Sequence, residues 1–312
     1  MISSGPFLFI VSLAKLIAMK TTSVPFMTFF LLFSVFASAQ DETGSPQNDS
    51  PKPYFKTSFE YLNNNVYLGR KDSVAIPYFT PQITYHFKSG LFLNASASYL
   101  PTESRVDVST IGAGYAFSKK KWDGELSAEK YFYSNQSYNV KAETKGGVSA
   151  NIGYDAGFIE PSITGSISFS TKNDYASSFS LEHYFSLFHD NADISPSFVI
   201  NASTQNSYAQ YYQKRKYTKT KKGKIAGYTA TANTLNTSDF KVLDYEFSAP
   251  MDYTLKRFTI SFTPTYAIPV NPSTVMLNIK TAGGATATRT FTEKLSNTFY
   301  WTVGLAYKIK GH

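Results

Sequence analysis

Four histidines and no cysteine set the limits of side-chain chemistry in this chain of 312 residues. Without thiols there is no disulfide, no thiolate metal site, no cysteine nucleophile and no lipid attached through an N-terminal cysteine. His86 falls on the polar side of an alternating segment, His189 lies in a turn and His312 is terminal, so a metal site from these is not expected. His183 shares its parity with Phe179, Leu181, Phe185 and Leu187, whereas Ser180 and Ser186 have the opposite parity and no His-x-Ser triplet occurs. It therefore has no serine to activate, and it reads as an interface residue rather than a catalytic base. No Gly-rich phosphate loop joins a strand to a helix: Gly283-Gly284 sits among Thr and Ala, and Gly146-Gly147 lies in a strand-like stretch, where it predicts a kink or bulge. The reading is of a protein that is not an enzyme and has no catalytic residue, cofactor or metal.

Two groups of charge remain. Glu60, Asp123, Glu125, Glu129, Glu160, Glu182, Asp244 and Glu246 all fall at polar positions of alternating segments, against fewer bases such as Lys56 and Lys308. If that side encloses a space, the carboxylates bias passage of cations or bind a basic solute. The alternative is a hydrogen-bonded network filling the interior, because ionised groups there must be paired or wet. Between Ser207 and Ser238 stand Lys214, Arg215, Lys216, Lys219, Lys221, Lys222 and Lys224 with no acid, interleaved with Tyr208, Tyr211, Tyr212, Tyr217 and Tyr228. Such a mixture can bind polyanions, or it can be a solvated loop whose lysines resist strand pairing.

The elements that must carry these residues are strands. In the last segment Phe299, Trp301, Val303, Leu305, Tyr307 and Ile309 share one side, while Tyr300, Thr302, Gly304, Ala306 and Lys308 share the other. The same alternation runs from Phe158 through Ile159, Pro161, Ile163, Ile167 and Phe169, and from Phe258 through Ile260, Phe262, Pro264, Tyr266 and Ile268. Period-two patterning of this length predicts strands with two unlike faces. Weaker versions over 55–62, 79–87, 91–99, 106–117, 122–132, 140–154, 179–187, 194–202 and 240–253 bring the count to about twelve, each near the ~9–11 residues a tilted strand needs to cross a bilayer. The polar face is mostly Ser, Thr, Gly, Asn and Ala, where a soluble sandwich would show Lys and Glu. Small uncharged residues suit a narrow barrel interior. Composition agrees, with 16% aromatic and 17% charged residues. Pro81, Pro161, Pro196 and Pro264 fall inside these segments and sit awkwardly there, since proline cannot donate to a ladder.

From Met19 onward come Lys20, an apolar run from Phe26 to Phe36 and the small residues Ala37-Ser38-Ala39. That is the order of a secretory signal peptide, and the run is too short for a spanning helix. The leader is placed at residues 1–39, with Met19 as an alternative start. Residues 40–53 read as a disordered linker and 54–309 as the barrel. With the first strand rising from the periplasm, the connections at 88–90, 118–121, 155–157, 188–193 and 254–257 are short inner turns, and those at 63–74, 134–139, 203–238 and 271–290 are longer outer loops, with two shorter exceptions around Thr102 and Asn173.

The leader, the alternating strands, the alternating loop lengths and the aromatic last strand from Phe299 to Ile309 together resemble Gram-negative outer-membrane β-barrel proteins of the porin-like class. The resemblance covers Tyr54 to Ile309, except that Lys310-Gly311-His312 follow where members of the class often finish on an aromatic residue. It implies an all-β, transmembrane antiparallel β-barrel of about 12 strands in the outer membrane. Its expected partners are outer-membrane lipid, lipopolysaccharide at the basic outer loop and the barrel-insertion machinery, with no nucleic acid. The first functional expectation is a pore for small polar solutes. A plugged structural or surface-binding barrel acting through the basic loop comes second, and an outer-membrane lipid-modifying enzyme third.

Overall fold

The computed structural model describes residues 52–71, 75–137, 139–188, 191–212, 228–281 and 284–310. The leader, most of the linker, His189, His312 and the bases from Lys214 to Lys224 lie outside the described residues. In chain order the barrel strands are β1 (Tyr54–Leu62), β2 (Tyr78–His86), β3 (Leu91–Leu100), β4 (Arg105–Lys119), β5 (Trp122–Tyr133) and β6 (Gly146–Tyr154). They continue as β7 (Glu160–Phe169), β8 (Asp174–Glu182), β9 (Ser197–Ser203), β10 (Lys241–Ser248), β11 (Phe258–Pro269) and β12 (Thr298–Lys310). Each pairs antiparallel with the next, and β12 returns to β1 with Phe55 opposite Ile309 and Tyr61 opposite Val303. The sheet is a closed ring of 12 strands, so it has no free edge.

Alternation gives the ring two unlike surfaces. Leu126 is 59% exposed, Ile163 55% and Ile260 54%, and residues of the same parity on other strands, such as Leu93, Ile111 and Leu305, are exposed with them. A continuous apolar band of this kind is the lipid-facing surface of a transmembrane barrel. Towards the short-turn end the band gathers aromatic pairs: Phe55 with Tyr85 at 4.5 Å, Trp122 with Tyr154 at 4.8 Å and Phe258 with Tyr307 at 4.6 Å between ring centroids. Such rings favour the membrane–water boundary. The short turns need tight backbone, as at Gly90, whose φ of 90° is one that side chains resist. The other end carries the long connections, which makes it the extracellular one. There, Tyr228–Thr234, Thr274–Thr281 and Thr286–Thr292 form a separate three-stranded sheet.

The prolines lie where the ladder lapses. β8 stops at Glu182 and resumes at Phe185–Leu187; β9 is preceded by Ala192–Ile194; β10 resumes as Met251–Leu255. These breaks line up across neighbouring strands: the His183 N–H donates to the Pro196 carbonyl (3.1 Å), Ser195 to Pro250 (2.9 Å) and Ala249 to Pro264 (3.2 Å). Each ring without an N–H thus sits at an interruption and still offers its oxygen. Pro81 stands in the gap of the β2–β3 ladder between Phe79↔Tyr99 and Gln82↔Ser96, and Pro161 is the second residue of β7.

Two expectations are corrected. The segment expected from Val140 begins as a strand only at Gly146, because Val140–Glu143 forms a 3-10 turn capped by the Asn139 side chain, which accepts the Lys141 N–H at 2.8 Å. Gly146 and Gly147 make no bulge: they oppose Lys130 and Glu129 in unbroken register. A Cβ on Gly147 would lie 2.9 Å from the Ile167 carbonyl oxygen, so close strand approach explains that glycine. The bulges lie elsewhere. In β4, Val108 faces Ser98 and Val106 faces Tyr99, leaving Asp107 extra; in β10, Asp244 faces Asn201 and Val242 faces Ala202, leaving Leu243 extra.

Candidate functional site: the barrel interior

At the outer end, loops turn inward and are held by buried charge. The hairpin of Val66–Tyr67 and Arg70–Lys71 turns on Leu68 and Gly69 with φ of 48° and 72°, the two positive values a tight two-residue hairpin requires. A Cβ on Gly69 would lie 2.9 Å from those of Asp244 and Pro269, so the hairpin tip rests on β10 and β11. Arg70, 7% exposed, donates to Glu293 through Nε (3.2 Å), to the carbonyls of Leu68 (3.1 Å) and Leu243 (3.5 Å) through Nη1, and to those of Val270 (3.3 Å) and Asn271 (3.1 Å) through Nη2. Glu293 also accepts from the Tyr208 hydroxyl (2.5 Å) and the Ser273 N–H (3.2 Å). One arginine therefore ties the first outer loop to the last.

Tyr208 belongs to a short helix, α1 (Asn206–Tyr212), whose start is held by Asp174. That carboxylate accepts the N–H groups of Asn206 (2.7 Å) and Ser207 (2.8 Å) and the Thr204 hydroxyl (2.7 Å), the favourable place for negative charge on a helix. Tyr208 and Tyr211 pack against Val140, and Tyr67 stacks on Tyr208 at 6.3 Å. Burial first, then the Asp174 carboxylate, push the phenol of half-buried Tyr67 above its ordinary value, so it stays protonated. On the other side of the mouth, fully buried Asp107 accepts from Tyr78 (2.5 Å), Ser137 (2.6 Å) and the Arg105 guanidinium (3.0 Å), which pins the start of the 134–145 loop.

Below this layer the inner face is different. Glu60, Asp123, Glu125, Glu129, Glu160, Glu182, Asp244 and Glu246 all lie on the face opposite the exposed apolar band, spread over five strands and not gathered in one cluster. Glu160 stands directly across from Glu182, and Asp193 from Asp252. Facing these acids on other strands are Lys56 and Lys308, themselves directly opposed, with the Lys308 ammonium 4.1 Å from the Tyr54 ring centroid and His86 stacked on that ring at 4.4 Å. Glu129 accepts from Tyr131 and Glu246 from Tyr300, each at 3.0 Å. Glu60, Asp123, Glu125, Glu160, Asp252, Lys56 and Lys308 are exposed, and no ion pair among the described residues includes any of them. Asp193 and Asp252 escaped the sequence reading because a broken strand hides their parity; Ile194 and Met251, one residue away on the lipid side, were the available signal.

No chemistry beyond charge collects here. Among the described residues no three His, Asp or Glu side chains converge as a metal set. His183 sits on the lipid side between Phe158 and Phe185, with its Nδ1 against the Phe158 carbonyl, and Ser180 and Ser186 remain on the other face. It is part of the aromatic boundary. No helix among the described residues is long and apolar enough to cross a membrane.

The fold is that of a closed, 12-stranded antiparallel β-barrel with an apolar outer band. No family model matches the chain, and no curated protein matches it in sequence. Among solved structures, a KdgM porin is 9% identical, with 82% of this chain and 99% of that one covered and a TM-score of 0.43. A NanC porin is 9% identical, covers 81% and 98%, and has a TM-score of 0.44. The CymD monoaromatic hydrocarbon channel is 8% identical, covers 85% and 90%, and has a TM-score of 0.36.

Proposed function

We propose that this protein is a water-filled pore of the outer membrane for small polar solutes, with a preference for cations. The observation that carries the reading is the set of inner-face charges, Glu60, Asp123, Glu125, Glu160, Asp252, Lys56 and Lys308, that are exposed and in no ion pair. A dry interior would leave each ion uncompensated at a cost of several kcal/mol, so an enclosed face that carries them is a wet one. The excess of carboxylates, with Glu160 facing Glu182 and Asp193 facing Asp252, raises the local concentration of cations. In this reading the chain is exported through the leader at residues 1–39 and folded in by the barrel-insertion machinery. The bases from Lys214 to Lys224 meet the phosphates of lipopolysaccharide.

Purified protein in a planar bilayer tests the pore. Discrete conductance steps, and a reversal potential of cationic sign under a salt gradient, are expected; a well-folded barrel that stays silent overturns it. A plugged barrel is the second reading, and the inward-turned layer around Arg70, Glu293 and α1 favours it. That reading predicts silence in the native protein and conductance once Arg70→Ala loosens the layer.

A further inference from the structure

Asp244 is completely buried, and neither of its carboxylate oxygens meets a hydrogen-bond donor. Its polar neighbours are Asn201, directly across the β9–β10 ladder, and Glu246, two residues on along the same face. Arg70, next to the Gly69 that touches it, would be the natural counterion. Yet a guanidinium has five N–H donors, and those of Arg70 go to Glu293 and four backbone carbonyls. A buried carboxylate with no partner calls for an explanation in a native fold. Asp107 and Asp174, the other buried acids of this layer, show how fully the fold satisfies such groups when protein supplies the donors.

We propose that Asp244 and Glu246 hold a divalent cation of the calcium or magnesium type beneath the first outer hairpin. The donors within reach are all oxygens: the two carboxylates, the Asn201 side-chain amide and the phenol of Tyr300, which already bonds Glu246. Hard oxygen donors without imidazole or thiolate select calcium or magnesium over the softer transition metals. Complete burial of Asp244 beneath the hairpin argues against an organic ammonium, which is far bulkier than a bare ion. Glu246 is only half-buried on the inner face, which leaves an ion a route to the pair from that side, and once seated it ties the hairpin tip to β10.

Terbium tests this directly, because a tyrosine beside a bound lanthanide sensitises its luminescence, and Tyr300 is in place to do so. Detergent-solubilised full-length protein, stripped with chelator and titrated with terbium at neutral pH, is expected to give saturable emission excited through tyrosine and displaced by calcium. Asp244→Asn and Glu246→Gln should each weaken the titration at least tenfold, while Glu160→Gln with Glu182→Gln leaves it unchanged. Closure of every variant is checked by the mobility of unheated samples on a gel. On the native protein alone, calcium should raise the thermal unfolding midpoint. No saturable emission and no calcium-dependent midpoint in the native protein overturn the site, as does an unaltered titration in a closed Asp244→Asn barrel. A midpoint that responds to pH but not to calcium means that a shared proton occupies the pair, and the proposal fails. All readouts are made in solution, so a barrel silent in bilayers leaves the cation site standing.

Discussion

Asp107 and Asp174 sit in the outer mouth with no exposure to water beyond a few per cent, and each receives hydrogen bonds from hydroxyl, guanidinium or backbone N–H groups. Glu160 and Glu182 sit towards the periplasmic end, face each other across a ladder and enter no ion pair among the described residues. The same side-chain chemistry is thus used to fasten loops at one end and left without a cationic partner at the other. What differs is who solvates the charge. Where loops turn inward and exclude water, protein dipoles must replace it; where the wall is bare, the proposed pore leaves that task to water and the charge to a passing ion.

The strongest way to break the contrast is to let water into the dry end. Arg70→Ala takes one donor from Glu293 and from each of four carbonyls, and removing one partner of a buried pair costs about 3–5 kcal/mol. Limited proteolysis should then cut within 63–77 while the barrel keeps its unheated gel mobility. A smaller loosening is expected from Asp174→Ala, which removes the carboxylate at the start of α1 and should cost about 1–2 kcal/mol. Hydrogen exchange over 206–212 should accelerate roughly tenfold or more, with no change in the strands. Adding charge balance at the wet end sharpens the contrast from the other side: Glu182→Gln relieves a like-charge pair, worth roughly 0.5 kcal/mol on the scale of cross-strand pairs. Its clearer sign is a reversal potential shifted towards zero, read in a bilayer. The smallest effect is that of salt on the native protein. Ion preference should shrink steadily from 0.1 M to 1 M, as the screening length falls from about 10 Å to about 3 Å, and a preference that does not respond to salt would mean that selection is not electrostatic.

The strands were legible because a membrane barrel imposes the same demand at every second residue. Phe299 to Ile309 reads directly as β12, and the four inward carboxylates from Asp123 to Glu160 follow from parity alone. Parity fails where the period slips. Asp107 and Leu243 are extra residues in bulges, which only a partner strand reveals, and the break before β9 hides Asp193. The expected strand start at Val140 failed because its apolar side chain is buried by Tyr208 and Tyr211 of a distant loop, not by lipid. Arg70 was invisible for the same reason: its partners Leu243, Val270, Asn271 and Glu293 are about two hundred positions away. The bases from Lys214 to Lys224 lie outside the described residues, so their role stands as proposed.

The aligned prolines bear on how such a ring can be assembled. A strand shifted by two residues against its neighbour keeps every greasy side chain towards lipid, so the pattern of faces cannot reject that mistake. Carbonyls at Pro196, Pro250 and Pro264 accept from His183, Ser195 and Ala249, so three rungs that each lack one donor stand side by side across β8 to β11. A strand out of step would carry its proline away from that row, so the matched gaps single out one setting of β8 to β11.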